Sequence, residues 1–144
     1  MKRYEPGGRF SSMSTGKLNF PGIWAHLEWE VLELEPGRAV LAWAADENHC
    51  FPAGEEWIVH GGMVTTLLDT AMGQATWSLL NDDEVFLTAD LRTEFYRPSR
   101  PGTLRARGWV VHKTRRITFS GAELYDSEDR LMASARATNM TIGI

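Results

Sequence analysis

His60-Gly61-Gly62 and the nineteen residues Gly62–Leu80, GMVTTLLDTAMGQATWSLL, decide how this 144-residue chain is read. Val64, Leu67, Leu68, Ala71, Met72, Ala75 and Leu79 recur at three- and four-residue spacing, the period of a helix with one apolar face. The opposite side carries Gly62, Thr65, Gly73, Thr76 and Ser78 where an ordinary surface helix has Lys and Glu, and its one charge is Asp69. A helix with no charged face is expected to be covered on most sides, which holds Asp69 where water is scarce. An unpaired buried carboxylate is costly, so Asp69 is a candidate functional group. Two plainer readings stay open: an Arg from elsewhere pairs with it, or this side of the helix is wet.

Gly61 and Gly62 allow close backbone approach. They also fall where a helix start has unpaired N–H groups and positive dipole character. Such a place suits a carbonyl oxygen that becomes negative during a reaction, although a tight strand-to-helix turn uses the same glycines. Gly62 and Asp69 are seven residues apart, on nearly one face but ~10 Å apart along the axis. One small acyl carbonyl does not reach both. If both act on the same atom, they come from two copies of the helix, and the site is shared by a dimer.

Composition narrows the class. The length is that of one domain with a real core. A net charge of −4 and 43% hydrophobic residues describe a soluble protein with no nucleic-acid partner. The single Cys50 excludes an internal disulfide framework and fits a reducing compartment. No apolar run approaches the ~18–20 residues of a membrane span. The start, MKRYEPGGRFSSMSTGK, is polar and lacks the apolar core of a signal peptide. Residues 1–16 are expected to be a flexible arm, 17–144 one domain, and the location cytoplasmic.

The remainder reads as strands. Leu27, Trp29 and Val31 alternate before the turn Glu35-Pro36-Gly37-Arg38, and Ala39–Ala45 returns as a second strand. Four β-rich runs follow the helix: Val85–Tyr96, Thr103–His112, Ile117–Asp126 and Leu131–Ile142. Their three connections are short enough for antiparallel neighbours. The expected fold class is α+β, an antiparallel sheet wrapped around one long central helix.

His60-Gly61-Gly62 with an acid nine residues after the histidine, then Ala71-Met72-Gly73, Thr88-Ala89-Asp90-Leu91 and Tyr96-Arg97-Pro98, resembles the PaaI-like group of hotdog-fold acyl-CoA thioesterases. The likeness runs from Leu27 to Ile142. It implies a hotdog fold dimerised edge to edge, often paired again into tetramers. It also implies hydrolysis of acyl-CoA thioesters. An acid at the Asp69 position is then the general base or nucleophile, and the Gly61 N–H of the other subunit polarises the carbonyl. No metal or organic cofactor is implied.

The same resemblance brings in further positions. His60 would support the thioester site by hydrogen bonding; a capping histidine that orders the turn is the competing reading. Thr88 falls where some members hold the attacking water with a Ser or Thr, and a β-branched residue chosen for its strand explains it as well. Gly62 and Asn48 are candidate substrate contacts, with His60 twelve positions after Asn48, a longer insert than in the better-studied branch. Thr70 stands where many relatives have a second acid, and Thr114 where the later hairpin often has glycine.

Coenzyme A carries phosphates, which Arg forks fit. Arg115 and Arg116, with Lys113 nearby, and Arg97 with Arg100 are the candidates; plain surface charge is the alternative. An acyl carrier protein could use the same arginines. Six tryptophans allow an aromatic-lined pocket, although core packing explains most of them. Two other functions compete with hydrolysis. One is a hotdog hydratase or dehydratase, which wants a His and an acid jointly poised, as His60 and Asp69 would be. The other is a non-catalytic acyl-thioester binding protein. Cys50 beside His49 is a further candidate nucleophile.

Overall fold

A computed structural model describes residues 2–13, 16–17 and 22–144. Along the chain it contains β1 (Gly16–Lys17), α1 (Ile23–Leu27), β2 (Glu30–Glu35), β3 (Arg38–Ala45), β4 (Cys50–Ala53) and β5 (Glu56–Val59). Then come α2 (Gly61–Trp77), β6 (Glu84–Phe95), β7 (Gly102–Lys113), β8 (Ile117–Tyr125) and β9 (Leu131–Gly143). Short 3-10 turns lie at Gly8–Ser12 and Glu47–His49. Seven strands form one antiparallel sheet in the order β1-β2-β3-β7-β8-β9-β6, and β4 and β5 make a separate hairpin. This is the hotdog arrangement expected from the sequence. Among the described residues no helix is long and apolar enough to cross a membrane.

The apolar face of α2 does what its spacing predicts. Val64, Leu67, Leu68, Ala71 and Met72 are buried with Trp29, Leu41, Trp43, Leu104 and Leu124 of the sheet. Each large side chain of this face contributes about 2 kcal/mol through the water it sheds. The helix backbone lies almost on β7: a methyl group at Gly108 would stand 2.3 Å from the Ala71 carbonyl. The helix ends where the Ser78 hydroxyl donates to the Ala75 carbonyl and accepts the Gly37 N–H of the β2–β3 turn.

Three expectations change. The first concerns the N-terminal arm. Gly7 N–H donates to the Ser78 carbonyl and Arg9 N–H to the Leu80 carbonyl, while Tyr4 packs beside Leu79 and Val110. The chain around Gly7 is thus fastened to the end of α2, because it supplies acceptors' partners that a helix C-terminus lacks. Met1, Ser14 and Thr15 lie outside the described residues.

The second concerns strand order: β6 and β7 are not neighbours despite their six-residue link, since β6 pairs β9 at one edge and β7 pairs β3. The third concerns the first strand. Leu27 closes α1, and the strand begins at Glu30, although Leu27, Trp29 and Val31 are all buried as alternation demands. The long insert before His60 folds into the β4–β5 hairpin, which fixes where His60 stands: its N–H donates to the His49 carbonyl just beyond the pair Cys50 and Val59.

Candidate active site

The side of α2 away from the core is half-exposed and lies along β6. Thr65 Oγ1 donates to Thr93 Oγ1 at 3.1 Å. One turn later the Thr88 hydroxyl reaches Asp69 Oδ1 at 3.5 Å. Asp69 is therefore neither deeply buried nor wet. Its carboxyl pKa is raised above the ordinary aspartate value, chiefly by desolvation, with the Thr88 hydrogen bond pulling it part of the way back. Among the described residues no Lys or Arg forms an ion pair with it. The ion-pair alternative falls, and a partly desolvated base next to a hydroxyl remains.

At the start of α2 the two glycines separate in role. The His60 Nδ1 accepts the Gly62 N–H at 2.9 Å, so His60 is a side-chain cap, and the Gly62 donor expected to meet substrate is spent on it. With Nδ1 accepting, a neutral His60 carries its proton on Nε2. The cap leaves the Gly61 N–H with no acceptor among the described residues. Gly61 opens onto a groove lined by Phe51, Ile58, Val64, Phe95, Tyr96 and Arg97, with the Phe95 ring 3.3 Å from where a methyl group at Gly61 would stand.

The structure thus brings Arg97 to Gly61 and Thr88 to Asp69. It sends other candidates elsewhere. Asn48 lies in the 3-10 turn, its N–H on the Asp46 carboxylate, at a groove with His26 and His49. Arg100 pairs with Glu56 at 2.8 Å and ties the β6–β7 link to β5. Arg115 and Arg116 are exposed in the β7–β8 hairpin, where Thr114 Oγ1 accepts the Ile117 N–H and holds the turn. Thr70 is buried and donates to the Thr66 carbonyl.

Cys50 does not suit nucleophilic work. Its thiol donates to the Asp46 carbonyl, and burial with Asp46 and Glu47 pushes its pKa up. His49 is turned to Asp46, not to the thiol.

The sequence did not single out Phe86, Phe95, Trp77 or Arg9, all of which border this seam. Gly73 and Trp77 follow Asp69 at four-residue intervals, a signal that was there to be read. Nothing in sequence tied β6 or Arg9 to them.

Comparison with known proteins agrees with the architecture. A thioesterase family protein from Silicibacter pomeroyi superimposes with a TM-score of 0.78 at 29% identity, covering 85% of this chain and 90% of that one. The PaaI protein of Escherichia coli, from the phenylacetic acid degradation operon, shares the fold with a TM-score of 0.74 at 23% identity over 83% of each chain. The medium/long-chain acyl-CoA thioesterase YigI of Escherichia coli K12 is 27% identical over 124 residues, 76% of this chain and 80% of its own. A family model described as thioesterase superfamily matches residues 58–133, the stretch from the end of β5 through α2, β6, β7 and β8 to the start of β9. The chain belongs to the thioesterase superfamily.

Proposed function

We propose that the protein hydrolyses acyl-CoA thioesters to the free acid and the CoA thiol, at a site built by two subunits. The observation that carries this reading is the half-buried Asp69 carboxyl, touched by the Thr88 hydroxyl and, among the described residues, in no ion pair with a Lys or Arg. In the general-base route the oxygen of a water held by Thr88 attacks the thioester carbon, and its proton passes to Asp69. The carbonyl oxygen, now negative, accepts a backbone N–H. Collapse breaks the C–S bond, and the thiolate takes the proton back from Asp69. In the nucleophile route Asp69 attacks first, expels the thiolate and forms an anhydride that water opens.

The N–H in question is the partner subunit's Gly61, and β6 supplies the geometry for it. Thr88 contacts Asp69 and Phe95 lies against Gly61, so two points of the strand, seven residues apart, each mark one half of the site. The bulge between Thr88 and Asp90 puts both Thr88 and Phe95 on the helix side, opposite Asn139 and Ala133 of β9. Among the described residues the other edge of β6 is unpaired. Antiparallel pairing with a second copy about a two-fold axis at Arg92 opposes Leu91 to the partner's Thr93 and Thr88 to the partner's Phe95. Asp69 then faces the partner's Gly61, and the isologous interface holds two such sites. Arg97, exposed at the rim of the Gly61 groove, is placed for the pantetheine arm or its phosphates.

The hydratase reading needs an acid and a histidine on one substrate. Here His60 is committed to Gly62, and among the described residues no histidine contacts Asp69. Free-thiol release from a panel of acyl-CoAs tests the proposal. The wild type should release thiol, and Asp69→Asn should lower turnover by at least ~100-fold while remaining folded. Normal turnover by folded Asp69→Asn, or water addition to an enoyl-CoA in place of thiol release, would reject it.

A further inference from the structure

The seam between α2 and β6 changes character one turn beyond Asp69. At the Asp69 level it holds short polar groups, Thr65, Thr88 and Thr93. The next residue on the same helical stripe is Gly73, and the Phe86 ring fills the place of its missing side chain, 3.2 Å from where a methyl group would be. That ring meets Trp77 edge to face, with centroids 5.8 Å apart. The Arg9 guanidinium lies over Trp77 at 4.6 Å, while its Nε and Nη2 donate to the Glu84 and Asp82 carbonyls at the entry to β6. Three separate segments therefore converge to close this end of the seam. The other end, at Gly61, is an open groove.

We infer that Phe86, backed by Trp77 and Arg9, is the end stop of the acyl site and restricts the enzyme to short acyl groups. The inference rests on the thioesterase reading above and adds the substrate class to it. A thioester has one arm that stops and one that must reach solvent. The coenzyme arm is long and ends in charged phosphates, so it leaves over the open groove of the partner's Gly61 and the partner's Arg97, the surface that the register above sets against Asp69. The acyl arm is left with the closed side. Between the Asp69 and Gly73 levels the helix rises only ~6 Å, and beyond that the aromatic ring occupies the path. Phe86 and Trp77 touch the acyl group or bound its space. Arg9 is a positioning residue that holds Trp77 and the start of β6 against each other. It comes from the N-terminal segment, outside the stretch matched by the superfamily model.

The test is kcat/KM across straight-chain acyl-CoAs from butanoyl to dodecanoyl. The wild type should favour the short end. Phe86→Ala opens the space over Gly73, and the dodecanoyl-to-butanoyl ratio should rise by at least ~10-fold, the scale on which apolar pockets discriminate chain length. Arg9→Ala should move the ratio the same way by a smaller factor. A structural defect alone would lower all chain lengths together and leave the ratio in place. If Phe86→Ala does not fold, Phe86→Leu gives the same reading with a smaller shift. Thiol release with an unchanged ratio in folded variants overturns the end stop and leaves the thioesterase reading standing. Absence of thiol release by the wild type from every member of the series overturns both.

Discussion

β6 and β7 are both twelve-residue antiparallel strands of one sheet, and they are opposites in burial. β7 lies between β3 and β8, and Leu104, Ala106, Gly108 and Val110 point in turn at α2, buried. β6 is the edge strand, and none of its residues is buried although it carries Val85, Phe86, Leu87, Leu91 and Phe95. Leu87 is 61% exposed and Phe95 53%. Apolar residues in a strand record who its neighbours are. Those of β7 belong to the same chain, whereas those of β6 have no strand against their outer edge among the described residues. A long apolar edge is an aggregation hazard unless something covers it, and the seam that holds Asp69 and Thr88 lies against that edge. The centre of the sheet thus carries the fold, and its edge borders the candidate site.

The sharpest way to break this contrast is to load the centre. In Gly108→Ala the new methyl group would meet the Ala71 carbonyl at 2.3 Å and the Met72 nitrogen at 2.7 Å. Both are backbone atoms of α2 and cannot rotate away. The substitution should destabilise by about 3 kcal/mol or more, the upper range of overpacking, seen as a large drop in midpoint on thermal or urea unfolding. A neutral Gly108→Ala would mean that α2 is not seated on β7 as described.

This division also explains how far the sequence could be read. The core face of α2 was legible because Val64, Leu67, Leu68, Ala71 and Met72 answer to one period and one sheet. Asp69 and Gly61 stand out as candidates because a lone charge and a glycine pair break local rules, and breaks of that kind concentrate at functional sites. The place of β6 was not. Strand spacing fixes which residues share a face, but its partner, β9, lies beyond two intervening strands. The N-terminal segment was misread for a related reason. Gly7 and Arg9 look like a loose arm in composition, and their partners Ser78, Leu80 and Trp77 lie some seventy residues away. His60 was legible as two readings, and only the 2.9 Å bond from Gly62 N–H to Nδ1 chooses the cap.

Changes at the edge should leave the single chain intact and act between copies. Arg92 is exposed on β6, bonded to Glu94 of its own strand at 2.6 Å, and the register above places it on the two-fold axis. Directly opposed residues of an antiparallel pair have Cα atoms ~4.5–5.5 Å apart, within disulfide reach. In a Cys50→Ser background, Arg92→Cys should form a reducible covalent dimer under mild oxidation, while Leu87→Cys, far from the axis, should not. Monomer stability should change little, as is usual for exposed positions. Cross-linking at Leu87 with none at Arg92 would break the register and with it the shared site.

The smallest effect sharpens the comparison most, because it concerns Asp69, which serves the edge but grows from the helix of the core. Its carboxyl pKa is raised in the folded protein, so between the unfolded and folded values the native state binds more protons than the unfolded one. Stability therefore falls as pH rises through that window, and the full penalty is present at neutral pH. Asp69→Asn removes the charge, and its side-chain oxygen still accepts the Thr88 hydroxyl. The variant should melt at or slightly above the wild type at pH 7, and the gain should vanish below the unfolded aspartate value of about 3.9. The same raised pKa sets the acid side of the rate profile: wild-type kcat/KM should fall as pH drops through a value above the ordinary aspartate range. A catalytic base held at some expense to the fold gives both results together, a variant that is less active and no less stable. Asp69→Asn that melts well below the wild type at pH 7 would instead make this carboxylate a structural part of the helix.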